Sequence, residues 1–380
     1  MPSFPLIPLG ELLTYAPDPH GVEPDRDYPI AGVYGFGRGM IQRAAVTGRE
    51  MAATQLFRIR AGQFIYSRLK SFEGAYAIVS PEVDGYFVSN EFPTFDLHHE
   101  QLEPGFLGWY FRQNRVWRQL ASGGKGIGAR RERLHPRRLL DHAIPLPPIE
   151  QQRRIIAKLD GAALQLKTLR WTADTARAEL NATMEAAFRK VIAGAPRVAI
   201  GDVAPILRRP VELESNGVYA ELGVRSFGKG LFKKPDVIGG ELTWQKPFRI
   251  HCGDIVFSNI KAWEGAFAVA KPEHHGKVGS HRYLTCVVDT RNATPNFLWY
   301  FLQSDAGLAQ VQAASPGSAD RNRTLSQRKL AAIEIPLPSM DAQFWFDDLQ
   351  QKASDVQAGQ RGVAGELDHL IPALMHQVFE

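Results

Sequence analysis

Cysteine is nearly absent: the 380 residues contain two, Cys252 and Cys286. A disulfide framework is thereby excluded, and a reducing compartment, the cytoplasm, is the expected one. Long apolar runs are missing as well. No stretch approaches the roughly 20 residues that cross a bilayer, so no membrane association is expected. The opening MPSFPLIPLGELL lacks the basic start and the small-residue cleavage site of a secretory signal. Charge of one sign is not in strong excess, since 45 basic residues stand against 40 acidic ones for a formal net charge of +5. That balance permits a polyanionic partner without requiring one.

Catalytic signatures are also wanting. GGKG at 123–126 lacks the Ser or Thr that would hold Mg²⁺ in a phosphate-cradling loop. GVYGFGRG at 32–39 has no dinucleotide-type unit around it and reads as a turn between strands. PDVIGGELT at 235–243 approximates a nuclease carboxylate pair, Asp236 and Glu241, but places Thr243 where a lysine would stand, so metal-assisted phosphodiester cleavage lacks a partner. His98, His99, His274 and His275 follow no metal-ligand spacing, with or without the cysteines; they read as exposed loop histidines, and Cys252 and Cys286 as buried thiols. No G-x-S-x-G nucleophile elbow occurs. The chain is expected to be no enzyme by itself and to hold neither cofactor nor metal.

What the sequence does have is an internal duplication. IPLPPIEQQRRIIAKLD at 144–160 returns as IEIPLPSMDAQFWFDDLQ at 333–350, with Ile335, Pro336, Leu337 and Pro338 over Ile144, Pro145, Leu146 and Pro147, an offset of 191 (335 − 144). At that offset GFGRG (35–39) faces SFGKG (226–230), and FRIRAGQFIYSRLKSFEGAYAIV (57–79) faces FRIHCGDIVFSNIKAWEGAFAVA (248–270) without a gap. Ser89, Asn90, Glu91 and Phe92 face Ser280, His281, Arg282 and Tyr283; FLGWYF (106–111) faces NFLWYF (296–301) after a one-residue slip. SGGKGIGARRER and SPGSADRNRTLSQRK are corresponding basic loops that lead into the two Pro-rich exits.

Alternating apolar and polar residues, rich in β-branched and aromatic types and punctuated by Gly and Pro, predict short twisted strands in both halves, with the WYF segments as helices docked on the sheet. Trp263, opposite Phe72, reads as strand packing. From Glu150 to about Ile192 no proline occurs, and Ile156, Leu159, Ala163, Leu166, Ala173, Leu180, Met184, Ala187 and Val191 recur at helical spacing. Leu349, Ala353, Val356, Val363, Leu367, Leu370, Leu374 and Val378 do the same, with Met184 and Phe188 returning as Met375 and Phe379. These stripes predict two long helices packed as a coiled coil, each on the order of 60 Å for roughly 43 residues. Pro372 predicts a kink or break near the end of the second. Antiparallel pairing is preferred because it uses the repeat symmetrically and gives an internal pseudo-twofold. The fold class expected is α+β: two similar β-rich domains, 1–143 and 194–334, joined by helical spacers, 144–193 and 335–380.

Two similar modules on a rod, with basic and aromatic residues interleaved in their loops and no catalytic set, suit a ligand that itself nearly repeats; duplex DNA, read as two half-sites, is such a ligand. At this point the residues carry a likeness. The I-P-L-P-P-x-E-Q-Q-x-x-I-x-x-x-L-D segment, its weaker copy IPLPSMDAQ, the F-x-I-x-x-G-x-x-x-x-S-x-x-K pattern and SNEFPTF together resemble the specificity subunit of Type I restriction-modification systems over nearly the whole chain. The resemblance implies two target recognition domains binding a bipartite, asymmetric site in double-stranded DNA. It also implies two adenine methyltransferase subunits docked on the helices, and ATP-dependent restriction subunits that can join them. S-adenosylmethionine, ATP and Mg would then sit on those partners. The second copy departs from the pattern, with Ala342 opposite Gln151 and Phe344-Trp345 opposite Arg153-Arg154, which puts an equivalent partner contact there in question.

Candidate DNA contacts are Arg38, Arg68, Lys70, Asn90, Lys125, Arg130 and Arg131 in the first module, and Lys229, Asn259, Lys261, His281, Arg282, Arg321 and Arg323 in the second. Most are expected on phosphates. The positions that differ between copies, Arg68 against Asn259 and Asn90 against His281, are the candidates for base readout, Arg favouring guanine and Asn adenine. Glu73 and Glu264 would be repelled by phosphate and are expected to organise a neighbouring Lys or Arg, or to accept from a cytosine amino group. Two other readings stand beside this one: the recognition half of a self-contained DNA-cleaving enzyme, and a structural repeat protein binding protein or glycan.

Overall fold

Strand-forming segments only a few residues long, cut off by Gly and Pro, cannot build one broad sheet, and each module folds instead as several small ones, antiparallel except where Glu221–Val224 runs parallel to Val278–Gly279. The computed structural model describes residues 4–121, 133–242, 246–317 and 323–379. In the first module Tyr76–Ile78, Phe64–Tyr66, Thr94–Leu97 and Leu13–Tyr15 form a four-stranded sheet in that order. The second module repeats it as Phe267–Val269, Ile255–Ser258 and Tyr283–Cys286, with Ile206 bridging to Cys286 at the edge. A further small sheet follows in each: Phe87–Val88, Gln55–Arg58 and Pro19–Gly21 in the first, and Leu231–Lys233, Glu221–Val224, Val278–Gly279 and Phe248–Arg249 in the second.

The WYF segments are helices, as their pattern requires: Pro104–Tyr110 and Pro295–Gln303, each with proline in its first turn where a missing N–H costs nothing. Their apolar faces close the two main cores. Phe64, Tyr66, Tyr76, Phe95, Phe106, Trp109 and Phe111 pack together in the first module; Phe257, Phe267, Leu284, Phe297 and Phe301 do so in the second.

Each module is also closed at its base. Leu6–Pro8 pairs antiparallel with Ala143–Pro145, and 191 residues later Arg197–Ala199 pairs with Glu334–Pro336. A proline lacks the donor that a central strand needs, so a two-stranded ribbon is where such a segment can pair. The ribbon brings the entry and the exit of each module side by side, at the start of a long helix.

Those helices run from Ile149 to Ile192 and from Met340 to Phe379. By its contacts the chain divides into two compact units, Met1–Ala173 with Arg361–Glu380, and Asp174–Gln360. Within the first, Leu159 of the first helix is buried with Met375 and Phe379 of the second, and Lys158 donates to Gln377. Within the second, Met184 and Phe188 are buried with Phe346 and Ala353, and Gln357 donates to Asn181. The start of each helix therefore lies against the end of the other, which is the antiparallel pairing. Two details of the expected stripe differ: Val356 and Leu370 are exposed. The second helix also continues through Pro372 without a break. Among the described residues no helix is long and apolar enough to cross a membrane.

Candidate nucleic-acid interface

In each module four chain segments meet at one end of the main sheet, tied by backbone hydrogen bonds that recur at the same offset. The hairpin between Ala31–Val33 and Met40–Gln42 carries the GFGRG tip; Phe36 N–H donates to Glu73 O at 2.6 Å and Gly37 N–H to Gly74 O at 3.0 Å. In the second module the tip between Glu221–Val224 and Leu231–Lys233 does the same, Phe227 to Glu264 O at 2.9 Å and Gly228 to Gly265 O at 3.1 Å. Behind the tip, Arg68 N–H donates to Glu91 O (2.9 Å) and Arg68 O accepts from Leu134 N–H (3.0 Å). Asn259 is held identically, donating to Arg282 O and accepting from Leu325 N–H, both at 2.8 Å. In the sequence Leu134 and Leu325 follow the two basic loops.

The described candidates of each module thus belong to one connected set of loops. Arg38, Lys70 and Asn90 are exposed in the first, with Arg68 half-buried; Lys229, Lys261 and Arg282 are exposed in the second, with Asn259, His281 and Arg323 half-buried. Lys125, Arg130, Arg131 and Arg321 lie outside the described residues, as does Thr243. Arg68 Nε, Asn259 Oδ1 and Arg323 Nε are buried without a hydrogen-bond partner. Orphaned buried polar atoms are rare in folded proteins, and these three belong to side chains suited to bases and phosphates; Tyr76 Oη and Gln360 Oε1, which are not among the candidates, are also without partners.

The two glutamates organise lysines. Glu264 accepts from Lys261 Nζ and from Ser226 Oγ, both at 2.7 Å, while Glu73 lies 3.9 Å from Lys70 Nζ. The Lys261 ammonium holds the Glu264 carboxyl below its ordinary range; partial burial opposes this and the Ser226 hydroxyl reinforces it. Trp263 is not in a strand but in a short 3-10 turn, Ala262–Glu264, with Lys261 Nζ 5.5 Å and the Arg323 guanidinium 4.8 Å from its ring. The sequence pattern misplaced it because the turn falls inside an otherwise alternating run. Cys252 differs as well, being exposed; Cys286 is buried in the main core, which pushes its thiol up to about 12.

Sequence reasoning passed over three features. The first is an ion pair, Arg133 Nε to Glu91 at 3.0 Å, whose second-module positions are Thr324 and Arg282. Glu91 is neutralised where Arg282, among the described residues, has no carboxylate partner. The second is Arg225, which replaces Tyr34 and adds a cation to the second tip. The third is the tip aromatic. Phe36 and Phe227 are the only non-glycine residues at positive φ among the described residues, +62° and +60°. They are 64% and 74% exposed, although a bulky side chain in that region costs of order 1–3 kcal/mol. Gly37, at φ +64°, must be glycine for a second reason: a Cβ there would come within 2.9 Å of Arg112, on which the tip rests.

A repeated lock fixes each module to its helix. Gln152 is fully buried; its amide donates to Gln101 O (2.8 Å) and Pro147 O (2.9 Å) and accepts from Glu103 N–H (2.9 Å). Gln343, also fully buried, donates to Asn292 O (3.1 Å) and Pro338 O (2.9 Å) and accepts from Thr294 N–H (2.9 Å). Trp109 Nε1 adds a bond to Asp160 in the first module. Of the EQQ triplet, the second glutamine is therefore structural. Gln151 and Arg154 instead line an open groove of about 1010 Å³ with Lys158, Arg115 and Phe379.

No protein-family model and no curated protein matches the chain. Solved structures do. The HsdS subunit from Thermoanaerobacter tengcongensis superposes with a TM-score of 0.61 at 20% identity, over 100% of this chain and 97% of that one. A chain from a Type I R-M system, solved for its complex assembly and conformational transition, gives 0.71 at 20% identity, over 100% and 98%. The Type I restriction-modification S subunit from M. genitalium gives 0.50 at 12% identity, over 99% and 96%. Across its whole length the chain has the fold of Type I restriction-modification specificity subunits.

Proposed function

We propose that the chain is the DNA-specificity subunit of a Type I restriction-modification complex, in which the modules 1–143 and 194–334 each read one half of a bipartite, asymmetric duplex site. One observation carries this reading: the same loop cluster is built twice on the same backbone hydrogen bonds, while the side chains displayed on it differ. Arg68 against Asn259, Glu91 against Arg282 and Tyr34 against Arg225 would give two readers of one design and two specificities. A duplicated binding module with unequal readers suits an asymmetric site better than a palindrome.

Two adenine methyltransferase subunits are the partners proposed for the helical spacers 144–193 and 335–380, with ATP-dependent restriction subunits joining where restriction occurs. S-adenosylmethionine, ATP and Mg belong to those partners, and the complex works in the cytoplasm, where its DNA is. The groove beside Gln151 and Arg154 is a surface for such a partner, and in the second copy the positions facing Arg153 and Arg154 are the exposed Phe344 and Trp345.

The test is duplex binding by the chain assembled with its methyltransferase. Sequence-selective affinity whose logarithm falls steeply with the logarithm of salt is expected. Salt-insensitive binding, or none with the partner present, overturns the reading. Cleavage of DNA by the purified chain with Mg alone would instead favour a self-contained enzyme.

A further inference from the structure

We propose that Phe36 and Phe227 are paired wedges, one per module, whose rings enter a base step of duplex DNA while Arg38 and Lys229 hold the adjoining phosphates. The proposal rests on the DNA-reading function above and assigns a mechanism to the hairpin tips.

Four observations converge. The rings are the most outlying feature of the backbone, both at positive φ, in copies that share little else at the tip beyond glycines and one cation. Both are largely exposed, so an unfavourable conformation is combined with an unfavourable solvation. Neither ring is buried in return for this cost. Phe36 meets Trp117 only edge-on at 6.3 Å, and the position of Trp117 is not aromatic in the second module, yet the posture of the ring is the same. The posture is imposed from below, by the two backbone bonds that clamp each tip to the Glu73-Gly74 or Glu264-Gly265 turn. A ring held outward by a rigid clamp loses little freedom on binding, which is what an inserted side chain requires.

The flanking cation identifies the ligand. The Arg38 guanidinium lies 5.9 Å from the Phe36 ring and 4.9 Å from Tyr34, and Lys229 Nζ lies 5.8 Å from the Phe227 ring. An apolar ring with a positive charge at its side matches a base stack bordered by phosphate. Phenylalanine has no donor or acceptor for base edges, so its contribution to specificity is through deformation. Wedges of this kind favour steps that unstack readily, the pyrimidine–purine steps TA and CA/TG. One such step is therefore expected in or beside each half-site.

The experiment uses the chain assembled with its methyltransferase, and duplexes selected by that complex from a random-sequence pool. Unstacked thymines are read by permanganate reactivity, and affinity by competition. Phe36→Ala is expected to abolish the enhanced reactivity in one half-site, Phe227→Ala in the other, and each to weaken binding roughly tenfold or more. Phe36→Tyr should retain both signals. Phe36→Gly and Phe227→Gly, which fit positive φ, should leave the melting temperature unchanged or raised while binding falls, separating the wedge from a folding role. Undiminished reactivity and affinity in the Phe36→Ala/Phe227→Ala double variant overturns the wedge and leaves the DNA-reading function standing. Failure of the wild-type complex to select any duplex overturns both.

Discussion

The first and second modules share their hydrogen-bonded frame and differ in what the frame displays. Arg68 and Asn259 are held by the same two backbone bonds, and Gln152 and Gln343 make the same three contacts 191 residues apart. Yet a guanidinium stands where the other copy has a carboxamide, and a Glu91–Arg133 ion pair where the other has Arg282 beside Thr324. The difference separates two kinds of residue. Those that satisfy backbone groups are repeated because each copy of the fold requires them; those that face outward are free to diverge, as the proposed reading of two half-sites requires.

The comparison is broken most severely at the lock. Gln152→Ala leaves a buried N–H and two buried carbonyls without their partner, and about 3 kcal/mol of stability should be lost. Gln343→Ala should cost the same within error in denaturant unfolding. A large inequality would mean that the two joints are not equivalent in energy despite equal geometry.

The outward residues are expected to behave in the opposite way, with effects confined to one half-site. Exchanging Arg68→Asn and Asn259→Arg should alter base preference at one position in each half-site by about 1–3 kcal/mol, read by competition between duplex variants, with melting temperatures unchanged. Arg282→Glu, which copies the first module's charge without its Arg133, should weaken binding about tenfold and lower the salt slope by about one. Glu91→Gln should strengthen binding a few-fold at low salt, because Arg133 is then released toward phosphate.

The smallest difference concerns acid. The carboxyl of Glu264 is depressed in the folded state by Lys261, so its contribution is present above the unfolded value near 4.5 and disappears as pH falls through the lower folded value. Melting of the wild type between pH 5 and pH 3 should therefore fall more steeply than that of Glu264→Gln, with equal slopes contradicting the assignment.

Much of this was legible in the sequence, and the reason is the duplication. A second copy at fixed offset acts as an internal alignment, so the strands, the WYF helices, the Pro-rich exits and the two helical stripes could be read twice. The antiparallel pairing followed from the same symmetry. What escaped depended on contacts distant along the chain. Gln152 looked like one more polar residue of an amphipathic helix, since nothing local reveals that the carbonyls of Gln101 and Pro147 converge on it. Phe36 and Phe227 sat in a glycine-rich turn, correctly read as a turn, but the positive φ is imposed by hydrogen bonds from a segment 37 residues away (73 − 36). Pro372 was expected to kink or break its helix; the helix is not broken there, and Ile371, Leu374 and Met375 beside it pack into the core of its unit. Apolar contacts on the neighbouring residues keep the helix in place there, whereas Trp263 was misplaced because its short turn lies inside an otherwise alternating run.

The central claim is that this chain chooses the DNA sequence on which other subunits act, one module to each half-site. Genome-wide mapping of methylated adenines in cells with the chain, without it, and with the Arg68→Asn variant tests that claim most directly. A bipartite motif should be present with the chain, vanish without it, and change in one half only with the variant. A methylation pattern that survives removal of the chain, or that changes in both halves together, would contradict the account.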